Sequence, residues 1–248
     1  MHCHLDFLEN PRAFADAAAE RGMRFFAATV TPQGYGQAHK ALADAPTVRL
    51  GVGLHPWWIH DGRCGQADVQ AVCAALRDTR YVGEVGLDFG KRCVGSRDVQ
   101  VAAFSQVARA CAQEGGKLLT VHAVRAANTV LDVLEDAGCF AHNQVIFHWF
   151  SDSSEGLWRA VRAGCYFSVN LRMLSTKRGR EYARVLPADR LLLETDLPPE
   201  AEPGFALDAW EADLRAALDA LDAVRGESMA SRLAQTSAQL LEYVAPGA

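Results

Sequence analysis

The sequence predicts a (β/α)8 TIM barrel built as a single domain over residues 1–248, with a short or truncated first strand. Three observations carry this expectation. Short apolar stretches alternate with helical patterns for about eight units, at a spacing of roughly 20–35 residues. Half of the residues are hydrophobic, enough to bury a large core. Histidines and carboxylates recur where strands run into their following helices, the rim on which such barrels carry their chemistry. An open doubly wound sheet is the competitor, and the absence of a GxGxxG turn after the first strand weighs against it.

In chain order, Met1-His2-Cys3-His4-Leu5-Asp6 opens the first strand. Side chains alternate faces on a strand, so His2 and His4 point one way and Cys3 the other. With only Met1 ahead of His2, that strand has almost no lower half, which leaves open whether the natural chain extends upstream. After Pro11 the alanine-rich stretch to residue 19 predicts a helix stopped near Gly22, followed by a strand over 24–30. A helix over 33–45 leads to a strand over 48–54 that Pro56 ends. A helix over 68–78, a strand over 81–87 carrying Glu84 and a longer amphipathic helix over 98–113 follow, the last stopped by Gly115-Gly116. Then come a strand over 117–122, a helix over 126–137, a strand over 144–148, and a helix over 153–163 opened by a serine cap. A strand over 165–170, a helix over 176–185 and a strand over 190–196 complete the barrel. Helices over 207–224 and 227–243 close the chain, and Pro203-Gly204 is the one linker-like break.

A net charge of −5 argues against a broad nucleic-acid-binding surface, so any phosphate chemistry must be local. The seven cysteines are scattered singly without a CxxC pair, which points to a reducing compartment. No apolar run approaches the ~18 residues of a membrane span, and no signal pattern opens the chain. A cytoplasmic location without membrane contact is the expectation.

The strand ends carry the chemistry. His2 and His4 close the first strand, His55 the third, His122 the fifth, His148 the sixth and Asp196 the eighth, while Glu84 lies in the fourth. This set suits a pair of divalent ions such as Zn²⁺, Mn²⁺ or Mg²⁺, with Glu84 placed to bridge them. Two metals sharing a water favour hydrolysis of an ester or phosphodiester, and Asp196 is the natural group to orient that water and accept its proton. His39, His60 and His142 lack strand-end placement and read as surface residues. Lys91-Arg92 and Lys177-Arg178-Gly179-Arg180 read as solvated faces, with Lys177 or Arg178 the candidates to meet phosphate. Trp57-Trp58 and Trp149 pack on the rim or stack on bases. Glu194 flanks the last strand, and Asp88 caps or orients.

His2-Cys3-His4-Leu5-Asp6, Gly53-Leu54-His55-Pro56, Gly83-Glu84-Val85-Gly86-Leu87-Asp88, the strand ending at His122, His148-Trp149-Phe150-Ser151 and Leu193-Glu194-Thr195-Asp196 before Pro198 together resemble the TatD family of metal-dependent nucleases over nearly the whole chain. The resemblance implies that His2, His4 and Asp196 hold one metal and His122 and His148 the other, with Glu84 bridging. His55 would face the substrate phosphate, and the activity would be metal-dependent hydrolysis of DNA, typically as a 3′→5′ exonuclease. Family members usually carry His-Ser-Arg after the fifth strand, whereas His122-Ala123-Val124-Arg125 displaces the arginine, and with it the phosphate role of Arg125, by one position. Leu197 and Asp152 also depart from the family pattern. Phe167-Ser168-Val169 with Met173-Leu174 and Lys177 looks most like the subgroup of Qat anti-phage defence operons, implying protein partners. Two other readings stay open: a metal-dependent amidohydrolase of a small ester, lactone or amide, and a largely non-catalytic subunit of a defence complex.

Overall fold

Seven parallel strands follow one another in chain order in the computed structural model, which describes residues 1–201 and 204–241. They are β1 (Phe25–Ala28), β2 (Val48–Leu54), β3 (Tyr81–Asp88), β4 (Leu118–Val124), β5 (Gln144–His148), β6 (Tyr166–Val169) and β7 (Leu191–Leu193). The chain's first residues fill the gap between the two edges. The Met1 amine donates to Leu193 O at 2.7 Å, and Thr195 N and Asp196 N donate to His2 O at 3.3 and 3.0 Å. On the other side Ala28 N donates to Cys3 O at 2.9 Å, and Cys3 pairs with Ala27 in an isolated parallel bridge. The eighth place in the barrel is thus held by a segment too short to form a regular strand.

Helices lie between the strands, and their starts follow from side-chain caps. Asn10, Thr31, Ser153 and Thr176 each accept a backbone N–H in the first turn of helices Pro11–Glu20, Pro32–Leu42, Ser154–Arg162 and Lys177–Val185. Two short helices, Pro56–His60 and Leu171–Leu174, were not expected from the sequence. Pro56 ends its strand by starting a helix, a position where the missing N–H costs nothing. The last strand stops earlier than expected, and three residues beyond it Asp196 adopts a left-handed backbone with φ 58°. The final helix is Ala230–Leu240; its expected end at Tyr243, like Pro203 in the break before Gly204, lies outside the described residues.

The barrel interior is layered along alternate residues. Phe26, Leu118, Ile146 and Leu192 form a buried cluster with Leu240 and Leu241 that plugs the lower end. Two residues further along the same strand faces stand Thr120, His148 and Glu194, and two further again His122 and Asp196. The opposite strand faces, with Val85, Leu119, Val121, Phe147 and Phe167, pack against Phe104, Val107, Leu131 and Leu157 of the helices. β4, β5 and the path of β7 therefore turn an apolar face outward and read apolar, then polar, on the inner face.

One close approach places the central carboxylate. The register between β2 and β3 breaks between Val52 and Leu54, and there Thr29 reaches past β2. Glu84 N donates to Thr29 O at 2.7 Å, and Thr29 N donates to Gly83 O at 2.8 Å. Residue 53 must be glycine for this contact, because a Cβ there would lie 1.6 Å from Thr29 O. The Gly83–Glu84 peptide is cis.

Candidate metal centre

Glu84 divides its carboxylate between two groups of side chains. Its Oε2 lies 3.3 Å from His2 Nε2 and 3.5 Å from His4 Nε2. Its Oε1 lies 2.8 Å from His122 Nδ1, 2.8 Å from His148 Nε2 and 3.1 Å from His55 Nε2. Asp196 Oδ1 completes the first group, 3.6 Å from His2 Nε2 and 3.3 Å from His4 Nε2. One ligand atom each from His2, His4, Glu84 and Asp196 falls within 4.8 Å of the others. The structure therefore brings all six expected ligands together.

The hydrogen bonds behind these rings test whether the nitrogens suit a cation. His4 Nδ1 lies 3.1 Å from Ala28 O, which can only accept, so Nδ1 keeps its proton and Nε2 is the nitrogen that offers a lone pair once the ring is neutral. His2 Nδ1 lies 2.7 Å from Thr120 Oγ1, a hydroxyl that accepts from Nδ1–H when the lone pair is on Nε2. Those two Nε2 atoms are 3.4 Å apart and both face carboxylate oxygens. His122 repeats the pattern with its nitrogens exchanged: Nε2 lies 3.2 Å from Asp88 Oδ2, leaving Nδ1 toward Glu84. Neutral rings would set acceptors against acceptors here, so the site holds either protons, as the raised His4, His122 and His148 do, or a cation that replaces them. The mixed nitrogen and carboxylate set fits a divalent metal.

His55 differs. Its Nδ1 accepts from Trp57 N at 3.1 Å, so a neutral ring carries its proton on Nε2 and donates toward Glu84 Oε1. Although His55, Glu84 and His122 offer atoms within 4.8 Å, this tautomer makes His55 a donor rather than a ligand. Burial holds its pKa down to about 4, against the opposing charge of Glu84. Cys3 points to the outer layer; burial pushes its thiol up to about 12 and it takes no part in the site.

Electrostatics follow the same division. Burial alone would raise the Glu84 carboxyl, but the charges of His55 and His148 and the hydrogen bonds of His122 and His148 outweigh it and hold Glu84 well below the usual range. Burial likewise opposes ionisation of Asp196, and the hydrogen bond with His4 together with the charges of His148 and His2 overcomes it. Burial would lower His4, yet its hydrogen bond with Asp196 and the charge of Glu84 push it up to about 9.

A cleft of about 470 Å³ opens onto this cluster, lined among others by Phe7, Trp57, Trp58, Trp149, Ser151 and Arg172. Arg125 and Lys177 are not among its lining residues. Arg125 is exposed at φ 52°, and Lys177 is the exposed first residue of its helix. Each of the three tryptophans is stacked by an arginine: Arg92 lies 5.2 Å over Trp57, Arg63 4.3 Å over Trp58 and Arg172 4.8 Å over Trp149. His39 and His142 are exposed, while His60 is half-buried with Nδ1 3.1 Å from Ser96 Oγ.

A family model described as TatD related DNase matches residues 1–242. The chain belongs to the TatD family. It is 30% identical over 125 residues to "Deoxyribonuclease Tat-D" of Schizosaccharomyces pombe, covering 50% of this chain and 40% of that protein. It is 25% identical over 165 residues to "3'-5' ssDNA/RNA exonuclease TatD" of Citrobacter rodentium, covering 65% of this chain and 62% of that one. The matched stretches thus span less than two thirds of either relative. The fold is similar to that of YJJV, a TatD homologue of Escherichia coli K12, with a TM-score of 0.80, 21% identity and coverage of 97% of this chain and 96% of that one.

Three supporting residues of this TatD-family chain escaped the sequence reading or were undervalued by it. Asp88 orients His122 and also accepts from Trp57 Nε1 at 2.6 Å. Glu194 is fully buried, accepts from Ser168 Oγ and from Asn170 Nδ2, and has Oε1 3.7 Å from His148 Nδ1. Thr120 stands behind His2. Period-two spacing held a signal for two of them: Thr120 precedes His122, and Glu194 precedes Asp196, by two residues on the same strand face. Arg172 left no such trace.

Proposed function

We propose that this chain hydrolyses phosphodiester bonds of DNA with two divalent ions and acts as an exonuclease. The observation that carries the reading is the division of Glu84, one oxygen toward His2 and His4 and the other toward His122 and His148. Such ions, when bound, supply Lewis acidity toward a phosphoryl oxygen and lower the pKa of a shared water. The chain's own residues do the rest. Glu84, kept ionised by its imidazole neighbours, joins the two ligand groups. Asp196 Oδ1, beside His2 and His4, orients the attacking water and takes its proton. His55 Nε2–H donates to a phosphate oxygen in the transition state, since its other nitrogen is engaged by Trp57 N. Phe7, Trp57, Trp58 and Trp149 offer flat walls for bases.

A nucleic-acid substrate is favoured over a small ester or amide by these walls and by the bridging carboxylate; among the described residues no lysine lines the cleft. The exonuclease mode is supported by the activity named for the Citrobacter rodentium relative. Among the described residues no helix is long and apolar enough to cross a membrane, and the seven cysteines are free, six of them buried, in keeping with the cytoplasmic setting we infer. From the resemblance of Phe167-Ser168-Val169 and Lys177 we place the activity in an anti-phage operon with protein partners. Cleavage of end-labelled oligonucleotides in Mn²⁺ tests the chemistry. Wild type is expected to give a ladder from the 3′ end, with Glu84→Gln and Asp196→Asn slower by on the order of 100-fold or more. Variants that keep full metal-dependent cleavage would overturn the proposal.

A further inference from the structure

Arg172 is the one arginine or lysine that lines the cleft among the described residues. It projects from helix Leu171–Leu174, which Asn170 caps by accepting from Met173 N at 2.8 Å. Its guanidinium lies 4.8 Å over the Trp149 ring. Nη2 donates to Thr195 O and Asp196 O at 3.2 Å each and lies 3.5 Å from Asp196 Oδ2. No hydrogen bond from Nη1 or Nε is present among the described residues, and the side chain is 42% exposed. Asp196 Oδ1 faces His2 and His4, so the carboxylate stands between the guanidinium and the ligand atoms.

We propose that Arg172 binds the phosphate next to the scissile one on a single strand of nucleic acid, and so selects a polynucleotide over an ester with one phosphate. The placement beyond Asp196 sets it one step away from the reacting phosphate. Stacking on Trp149 and anchoring through Nη2 fix the guanidinium plane, which reduces the entropy lost on binding. The Nη1 and Nε N–H groups remain to meet phosphate oxygens. With Arg125 and Lys177 outside the cleft, Arg172 supplies the positive charge that a chain of net charge −5 otherwise lacks there. The scissile phosphate itself rests on the nuclease reading above, and the test therefore measures binding apart from cleavage.

The probe is a fluorescent single-stranded phosphorothioate oligonucleotide, which resists hydrolysis, titrated by anisotropy onto Mn²⁺-loaded protein over a salt series. Arg172→Gln is expected to weaken binding about tenfold and to flatten the slope of log K against log salt by about 0.7, the loss of one phosphate contact. Arg172→Lys should restore the slope with part of the affinity. Arg12→Gln, which removes an exposed charge paired with Asp16 and not among the residues that line the cleft, should change neither. Bound metal is measured on the same samples: a slope that flattens at wild-type metal content is the expected result, and a slope that flattens only where metal is lost would overturn the proposal. An unchanged slope, with or without lost metal, would overturn the proposal and leave Arg172 as a support for Asp196. Wild type that binds with the Arg172-dependent slope yet cleaves no DNA would sink the nuclease reading and keep this contact. Absence of binding by wild type would sink both.

Discussion

Asp88 Oδ2 lies 3.2 Å from His122 Nε2, on the ring edge opposite the one that faces Glu84. The carboxylate pins the tautomer and the ring plane, and burial, which would raise it, is overcome by hydrogen bonds from His122 and Trp57 that hold it at about 2. It is therefore ionised at neutral pH. Asp88→Asn removes the charge at nearly constant volume. Metal affinity, measured by competition with a chromogenic chelator, should fall on the order of 10- to 100-fold. Equal affinities would show that His122 needs no such support.

Glu194 plays the corresponding part for His148, whose Nδ1 has no hydrogen-bond partner and sits 3.7 Å from Glu194 Oε1. Glu194→Gln is expected to lower metal affinity by a similar factor. Ser168→Ala, which removes a donor to the far Glu194 oxygen, should cost less, about 1 kcal/mol in stability by denaturant titration.

Gly53 keeps the path open between Thr29 and Glu84. A Cβ at residue 53 would lie 1.6 Å from Thr29 O and 2.6 Å from Glu84 N. Gly53→Ala forces backbone apart at the point that positions the Glu84 carboxylate. A loss of about 3 kcal/mol in stability is expected, with reduced metal content in whatever fraction folds. A variant with wild-type stability and metal content would refute this role.

Stability of the metal-free protein should peak near pH 6.5. His55 is held at about 4 by burial, and His2 is lowered for the same reason. As pH falls below the ordinary imidazole value the unfolded chain takes up these protons and the folded one resists, so stability drops toward acid. Below about pH 4 the lowered Glu84 and Asp196 carboxyls add to that loss. His4, at about 9, and the raised His122 and His148 act in the other direction: their contribution is complete below the ordinary value and is lost as pH rises through the folded one. Metal displaces those protons, so affinity should rise with pH over the same alkaline window. Thermal melts of chelated and loaded protein from pH 4.5 to 9.5 provide the check.

Arg125 and Lys177 show what a one-dimensional reading cannot resolve. Both follow strands in the sequence, as Asp196 does, yet neither lines the cleft. Arg125→Gln and Lys177→Gln should therefore leave DNA cleavage within about twofold of wild type.

The clustering of the candidate ligands was legible because strand periodicity is strict. Leu118, Thr120 and His122 lie on one face of β4, and Leu192, Glu194 and Asp196 on the path of β7, so apolar plug, support and ligand can be read upward at every second residue. Seven of the eight strand positions were legible for the same reason, and His2 and His4 declared themselves by their spacing. Residues that act through loops were not legible. Arg172 reaches Asp196 from a four-residue helix that no apolar period announces, and the left-handed backbone of Asp196 follows from contacts on two sides rather than from its neighbours. The tautomer of His55 depends on a cap bond with Trp57 N that only the folded turn creates.

The central claim is that Glu84 joins two metal positions. Elemental analysis of protein purified without chelator tests it most directly. Wild type should carry two divalent ions per chain and Glu84→Gln one or none; one ion in wild type, or two in both proteins, would contradict the account.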